Sequence, residues 1–149
     1  LGKIGIPDQI LSSPFQLTDQ EAALLRTHTT LGETILVVAA GTGTAPNTLF
    51  HIAAKIAGAH HEHWDGSGYP RGLAGIDIPL EARLMGLADA YDLLTAGAGP
   101  QSKALTHEAA CAEIVQRSGT QFDPDLVAAF IRVESSFRAT SLELHDDIC

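Results

Sequence analysis

Thr18-Asp19-Gln20-Glu21, together with the run Ala22 to Ile35 behind it, is the stretch on which the fold turns. Thr18 and Glu21 stand at capping-box spacing, where a hydroxyl and a carboxylate each satisfy the other residue's free backbone N–H. Behind the box, Leu24, His28, Leu31 and Ile35 recur three or four residues apart, the period of one helix face. The spacing predicts a helix whose apolar stripe contains one imidazole.

Working outward, Gly41 to Pro46 breaks the period and reads as a loop. A second helix is predicted from near Asn47, carried by Leu49, Ile52, Ile56 and Ala59 or His60. The turn pairs in Trp64-Asp65-Gly66-Ser67-Gly68 stop it. Tyr69 to Ile78 reads as irregular. Pro79 suits a first helical position, and Leu80, Leu84, Leu87, Tyr91 and Leu94 trace the next stripe. After a break at Ala96 to Pro100, one helix is predicted from Thr106 to Gly119. Another opens at Asp123-Pro124 and runs to about Ala139. No alternating strand pattern or internal repeat is found. The fold class is all-α, with one domain over residues 1–139 and a loose polar tail over 140–149.

Composition narrows the function. Nine basic against eighteen acidic residues leave a net charge of −9 over 149 residues, with seven histidines uncounted. Nucleic-acid binding rests on Lys and Arg neutralising phosphates, so DNA and RNA are poor partners for this chain. Apolar runs such as Ile35 to Ala40 are far below the ~18 residues that span a bilayer. Cys111 and Cys149 lie far apart, without metal-ribbon or disulfide spacing, which suits a reducing cytoplasm. No signal peptide is visible. With Met85 the only methionine, Leu1 reads as an internal start and the chain as a piece of something longer.

Four residues stand out: His28, the pair His60-His61, and Asp89, each at or beside the stripe of a separate helix. Packing three such helices around one core brings imidazole nitrogens and a carboxylate together, a ligand set suited to Fe, Mn, Zn or Ni. Adjacent histidines turn only ~100° per step, so both reach one ion only near a helix end, where Asp65-Gly66 puts them. Spacing alone leaves two readings open, a metal ligand and a hydrogen-bonded core histidine. Asp89 also reads as a helix partner for Arg83. His51, His63, His107 and His145 read as structural or solvated.

His60-His61-Glu62-His63-Trp64-Asp65-Gly66-Ser67-Gly68-Tyr69-Pro70 resembles the HHExxDGxGYP signature of HD-GYP domains, a branch of the HD phosphohydrolases. In order along the chain, Gly2 to Asp8, Leu17 to Gly32, Ile78 to Arg83, Ala88 to Asp92 and Gly119 to Pro124 resemble further family segments. The resemblance implies an HD-like helical bundle holding two or three divalent transition metals, iron or manganese foremost. It implies hydrolysis of cyclic di-GMP to linear pGpG or GMP. His28, His60 and His61 then correspond to metal ligands, and Asp89 to the carboxylate closing a neighbouring metal. Lys3 corresponds to a lysine near the scissile phosphate. Gly68, Tyr69 and Pro70 form the element tied to activity and to docking with diguanylate cyclase (GGDEF) domains; a second copy of the chain is a further partner.

Two departures qualify the implication. The HD dipeptide itself is absent, since Leu1 falls where the next residue would stand, and the helices before it are absent too. On that reading this chain holds one metal and is inactive or nearly so, while the parent protein is competent. After Asp89, where the family carries an Arg-Pro-Tyr-Lys-like stretch, Thr95 to Lys103 offers no arginine, leaving Lys103 as a weak substitute. Two alternatives therefore stand beside the phosphodiesterase: a degenerate module that binds without turnover, and a hydrolase of another phosphate ester.

Overall fold

The computed structural model describes residues 1–11, 17–41, 48–97 and 103–146, with side chains to residue 139. A 3-10 turn, Gly2–Gly5, precedes six helices: α1 (Asp8–Leu11), α2 (Asp19–Gly41), α3 (Thr48–Ala59), α4 (Leu80–Ala96), α5 (His107–Gln116) and α6 (Pro124–Asp146). A second 3-10 turn, Gly75–Asp77, leads into α4. No strand occurs among the described residues, beyond one isolated bridge between Ser118 and Phe122. No helix among them is long and apolar enough to cross a membrane.

The helix starts follow local chemistry. Thr18 N–H donates to Glu21 Oε2 at 2.8 Å and Glu21 N–H to Thr18 Oγ1 at 3.3 Å, so the capping box forms as the sequence predicts. Thr106 caps α5 by accepting from Ala109 N–H at 3.3 Å, and Asp123 Oδ1 accepts from Asp125 N–H at 2.9 Å at the mouth of α6. Gly97 ends α4 with φ +64°.

The helices pack in series. The first 3-10 turn lies on α2, α2 pairs with α3, α3 with α4, and α4 joins α5 and α6. The larger apolar cluster belongs to the last three, with Leu87, Tyr91, Ile114, Phe122, Val127 and Phe130 at its centre. A smaller one, Ala59, Ile78 and Ala82, ties the end of α3 to the start of α4. Two glycines permit close backbone approach. A Cβ at Gly2 would collide with the carbonyl of His28, and one at Gly86 would stand 2.8 Å from the carbonyl of His60.

A buried ion pair ties α4 to the turn between α5 and α6. Arg83 of α4 donates to Asp123 Oδ2 at 2.5 Å, their side chains only 16% and 6% exposed. The Arg83 guanidinium also sits 5.7 Å from the ring centroid of Trp64. Trp64 and Asp65 N–H groups donate to the carbonyls of Gln121 and Thr120, bracing the α3–α4 connection against the same turn.

Several expectations need correction. Leu24, Leu31 and Ile35 are 36–41% exposed; of the predicted α2 stripe only His28 is buried. On α3, Leu49 and Ile52 are exposed, Ala59 is buried as predicted, and Ala54 and Gly58 are buried with it. On α4, Leu80 and Leu84 face outward, whereas Leu87 and Tyr91 are buried as predicted. For α2 and α3 the reason is shared: they approach through small residues (Gly32 against Ala57, for example), which a hydropathy period does not mark. Pro79 is the N-cap of α4, one place before its first turn. Helix α6 runs to Asp146 instead of stopping near Ala139. Arg83 pairs with Asp123 and not with Asp89. The start near Asn47 and most of the breaks at Gly41 to Pro46 and Ala96 to Pro100 lie outside the described residues, as does the side chain of His145.

Candidate metal centre

Three imidazoles converge. His28 projects from α2, and His60 and His61 occupy the turn immediately after α3. One nitrogen from each ring lies within 4.8 Å of the others. Ring centroids are 5.7 Å apart for His28 and His60, 5.2 Å for His28 and His61, and 4.1 Å for His60 and His61. The pair sits one step beyond the helix end, where the backbone turns and both rings can face one point.

Hydrogen bonding selects the ring nitrogen that faces inward. His28 Nδ1 donates to the Leu25 carbonyl at 2.5 Å, and His60 Nδ1 to the Ile56 carbonyl at 2.9 Å. Each Nδ1–H is thus spent on the backbone, leaving Nε2 with its lone pair, the arrangement typical of a metal-ligating histidine. His28 Nε2 is buried without a hydrogen-bond partner. A buried acceptor left alone is costly, so this atom points to a ligand. The donor set fits a divalent transition metal.

Electrostatics agree. Burial above all, with His60, His28 and Lys3 adding repulsion, lowers the His61 pKa from 6.5 to about 3. Burial likewise lowers His28, against the pull of the Leu25 carbonyl. Both rings are neutral at pH 7, as ligation requires. For His61 the unfolded chain binds the proton below pH 6.5 while the fold refuses it down to about 3, so stability falls as pH drops through that window. Urea unfolding at about pH 7.5 and 5 should show this loss, and His61→Gln should flatten it.

The predicted partners take distinct places. Tyr69 stacks on His61 with centroids 4.8 Å apart, and the Arg26 guanidinium sits 5.2 Å from the Tyr69 centroid. Lys3 is exposed and close enough for its charge to depress both imidazoles. Asp89 stands outside the triad but lines, with His60, His61 and Glu62, a cavity of about 100 Å³. Lys103 lies farther off, lining with Leu105 and Arg117 a second cavity of about 530 Å³ that shares Ala90, Leu93 and Gln121 with the first. Of the other histidines, His51 is exposed and His63 meets Ser67 Oγ at 3.1 Å.

The sequence reading missed the residues that brace this loop. Glu62, 7% exposed, accepts from the N–H groups of Arg71 at 2.8 Å and Leu73 at 3.0 Å. Arg71 in turn reaches Glu33 of α2 at 2.8 Å and the Gly58 carbonyl at 3.1 Å. A charged residue between two ligand histidines and a glycine-rich turn is the signal that could have found Glu62. Glu62→Ala strands two N–H groups at about 1–3 kcal/mol each, an effect that thermal unfolding should register.

Comparison with known proteins identifies the family. The HD domain family profile matches residues 1–126. The chain belongs to the HD domain family. Over 137 residues this HD domain is 47% identical to a probable cyclic di-GMP phosphodiesterase of Vibrio cholerae serotype O1, covering 92% of the chain and 31% of that protein. Over 134 residues it is 39% identical to a cyclic di-GMP phosphodiesterase of Thermotoga maritima, covering 90% and 34%. It is 36% identical over 146 residues to a 3'3'-cGAMP-specific phosphodiesterase of V. cholerae, covering 98% and 27%. The HD domain thus spans about a third or less of these relatives' lengths. A crystal structure of a cyclic GMP-AMP-specific phosphodiesterase of V. cholerae shares the fold, with TM-score 0.60 and 23% identity over 95% of this chain and 34% of that one.

Proposed function

We propose that this HD domain is the metal-holding part of a phosphodiesterase that hydrolyses cyclic di-GMP to pGpG or GMP. The observation carrying the proposal is the convergence of His28, His60 and His61, with His28 Nε2 buried and unpartnered. The cyclic di-GMP phosphodiesterases among its relatives support the substrate class. This triad suffices to hold one ion; Asp89, on the wall of a cavity that His60 and His61 also line, is the carboxylate for a neighbouring one, with iron or manganese the metals of choice. When bound, such ions supply Lewis-acid charge stabilisation and activate water for attack on phosphorus.

The chain's own residues do the rest. Neutral His28 and His61 offer lone pairs at pH 7. Lys3 brings an ammonium beside them, positioned to offset charge on a phosphate in an otherwise acidic protein. Tyr69 keeps its phenol proton, its pKa pushed by burial to about 12, and so offers an O–H donor while its ring holds His61. Lys103 on the adjoining cavity is the cation available to the rest of a dinucleotide, since Arg117 there is paired with Glu113. Gly68, Tyr69 and Pro70 form the edge that a GGDEF domain would meet, in a cytoplasmic setting.

A second substrate, 3'3'-cGAMP, is favoured by the relatives named for it and by the absence of an arginine between Thr95 and Lys103. Incubating the Mn²⁺- or Fe²⁺-loaded protein that carries this domain with both dinucleotides tests the proposal. Linear products from cyclic di-GMP at the higher kcat/KM support it. Preference for 3'3'-cGAMP replaces the substrate, and hydrolysis of neither supports a binding module.

A further inference from the structure

A second group of ligand atoms lies on the other side of α4. Asp89 and Tyr91 are two residues apart, about 200° around the helix, so Tyr91 faces away from the imidazole centre. There it meets His107 and Cys111, one turn apart on α5, and these two are joined by Glu134 of α6. One ligand atom from each of these three lies within 4.8 Å of the others. Cys111 is 6% exposed, while His107 and Glu134 are half-buried and leave an approach from solvent.

Glu134 is the telling residue. It lies on α6 between Phe130 and Phe137, whose rings pack 5.8 and 5.5 Å from Tyr91. Carboxylates are rarely placed on such an aromatic stripe unless something there pairs with them. What the stripe offers Glu134 is a thiol and an imidazole. Tyr91 Oη lies 2.9 Å from His107 Nδ1, and accepting that N–H leaves Nε2 free as a ligand. Cys111 Sγ stands 3.7 Å from His107 Nε2. Around tetrahedral zinc, with Zn–S of about 2.3 Å and Zn–N of about 2.0–2.1 Å, the two donors stand about 3.6 Å apart.

We propose that His107, Cys111 and Glu134 form a second metal site, selective for zinc-like thiophilic ions, with Tyr91 orienting the imidazole and water taking the fourth position. On binding, the thiol proton leaves to solvent and the thiolate coordinates. A plain reactive cysteine is a poorer reading, because burial and the carboxylates of Glu134 and Glu108 push the thiol up to about 11. The ion would pin α5 to α6 and stabilise the half of the bundle that carries no part of the imidazole centre.

Cobalt(II) separates the two centres, because thiolate ligation gives a near-ultraviolet charge-transfer band and the His28 centre has no sulfur. The full chain carrying Cys149→Ser, titrated with Co²⁺, should show the band, and Zn²⁺ should bleach it. Adding His60→Ala should leave it intact. Adding Cys111→Ser should abolish it, and adding Glu134→Gln should weaken Co²⁺ affinity at least tenfold. The circular dichroism of each variant checks that it is folded. No band in the Cys149→Ser protein, or a Glu134→Gln titration that superimposes on it, overturns the proposal.

Discussion

Replacing His60 with alanine should lower the chain's affinity for Mn²⁺ or Fe²⁺ by at least about 100-fold. Loss of a group that merely orients a ligand costs 10–100-fold, and here the ligand itself goes. Because His60 and His61 are consecutive and stand with His28 around one point, no neighbouring donor can replace the missing nitrogen without moving the backbone. In the protein that carries this domain, turnover should fall by about 10²–10³ or more, the cost of losing one preorganised charge-stabilising group. Calorimetric titration and metal analysis give the affinity, and product chromatography gives the rate. His60→Ala protein that binds metal and hydrolyses cyclic dinucleotide like the wild type would refute the role of the triad.

Asp123→Ala should be the most destabilising single change in the core. It strands the Arg83 guanidinium in a buried setting, for which about 3–5 kcal/mol is the ordinary cost. For a chain of this size that corresponds to a fall in Tm of roughly 6–20 °C. The loss has a second part, since Asp123 Oδ1 also holds the first turn of α6. Removing both charges with Arg83→Met and Asp123→Leu should recover most of the stability, because the penalty belongs to the unpaired ion. A loss under about 1 kcal/mol in the single variant would mean the pair is solvated in practice.

Much of this was legible from residue order, and the exceptions share a cause. The capping box at Thr18, the Asp123-Pro124 start and the gathering of His28 with His60 and His61 all follow from local chemistry or helix period. What escaped was the identity of the packed faces. Large apolar residues such as Leu24 and Ile35 mark a stripe by hydropathy, yet the approach of α2 to α3 runs through Gly32 against Ala57 and Gly58 against Glu33. Small side chains weigh little in an amphipathicity count and most in how near two backbones come. The Arg83–Asp123 pair escaped for another reason: its partners are 40 positions apart, a distance no local pattern spans. His107, read as structural, gains a different meaning once α6 brings Glu134 to it.

Gly2 and Gly86 press, without any side chain, on the carbonyl oxygens of His28 and His60. The distances among the imidazoles are thus governed in part by two residues that own no reactive atom. Saturation mutagenesis scored by metal uptake should therefore rank both alongside the histidines, while transplanting the three rings onto another helical scaffold would fail unless these two hollows travelled with them.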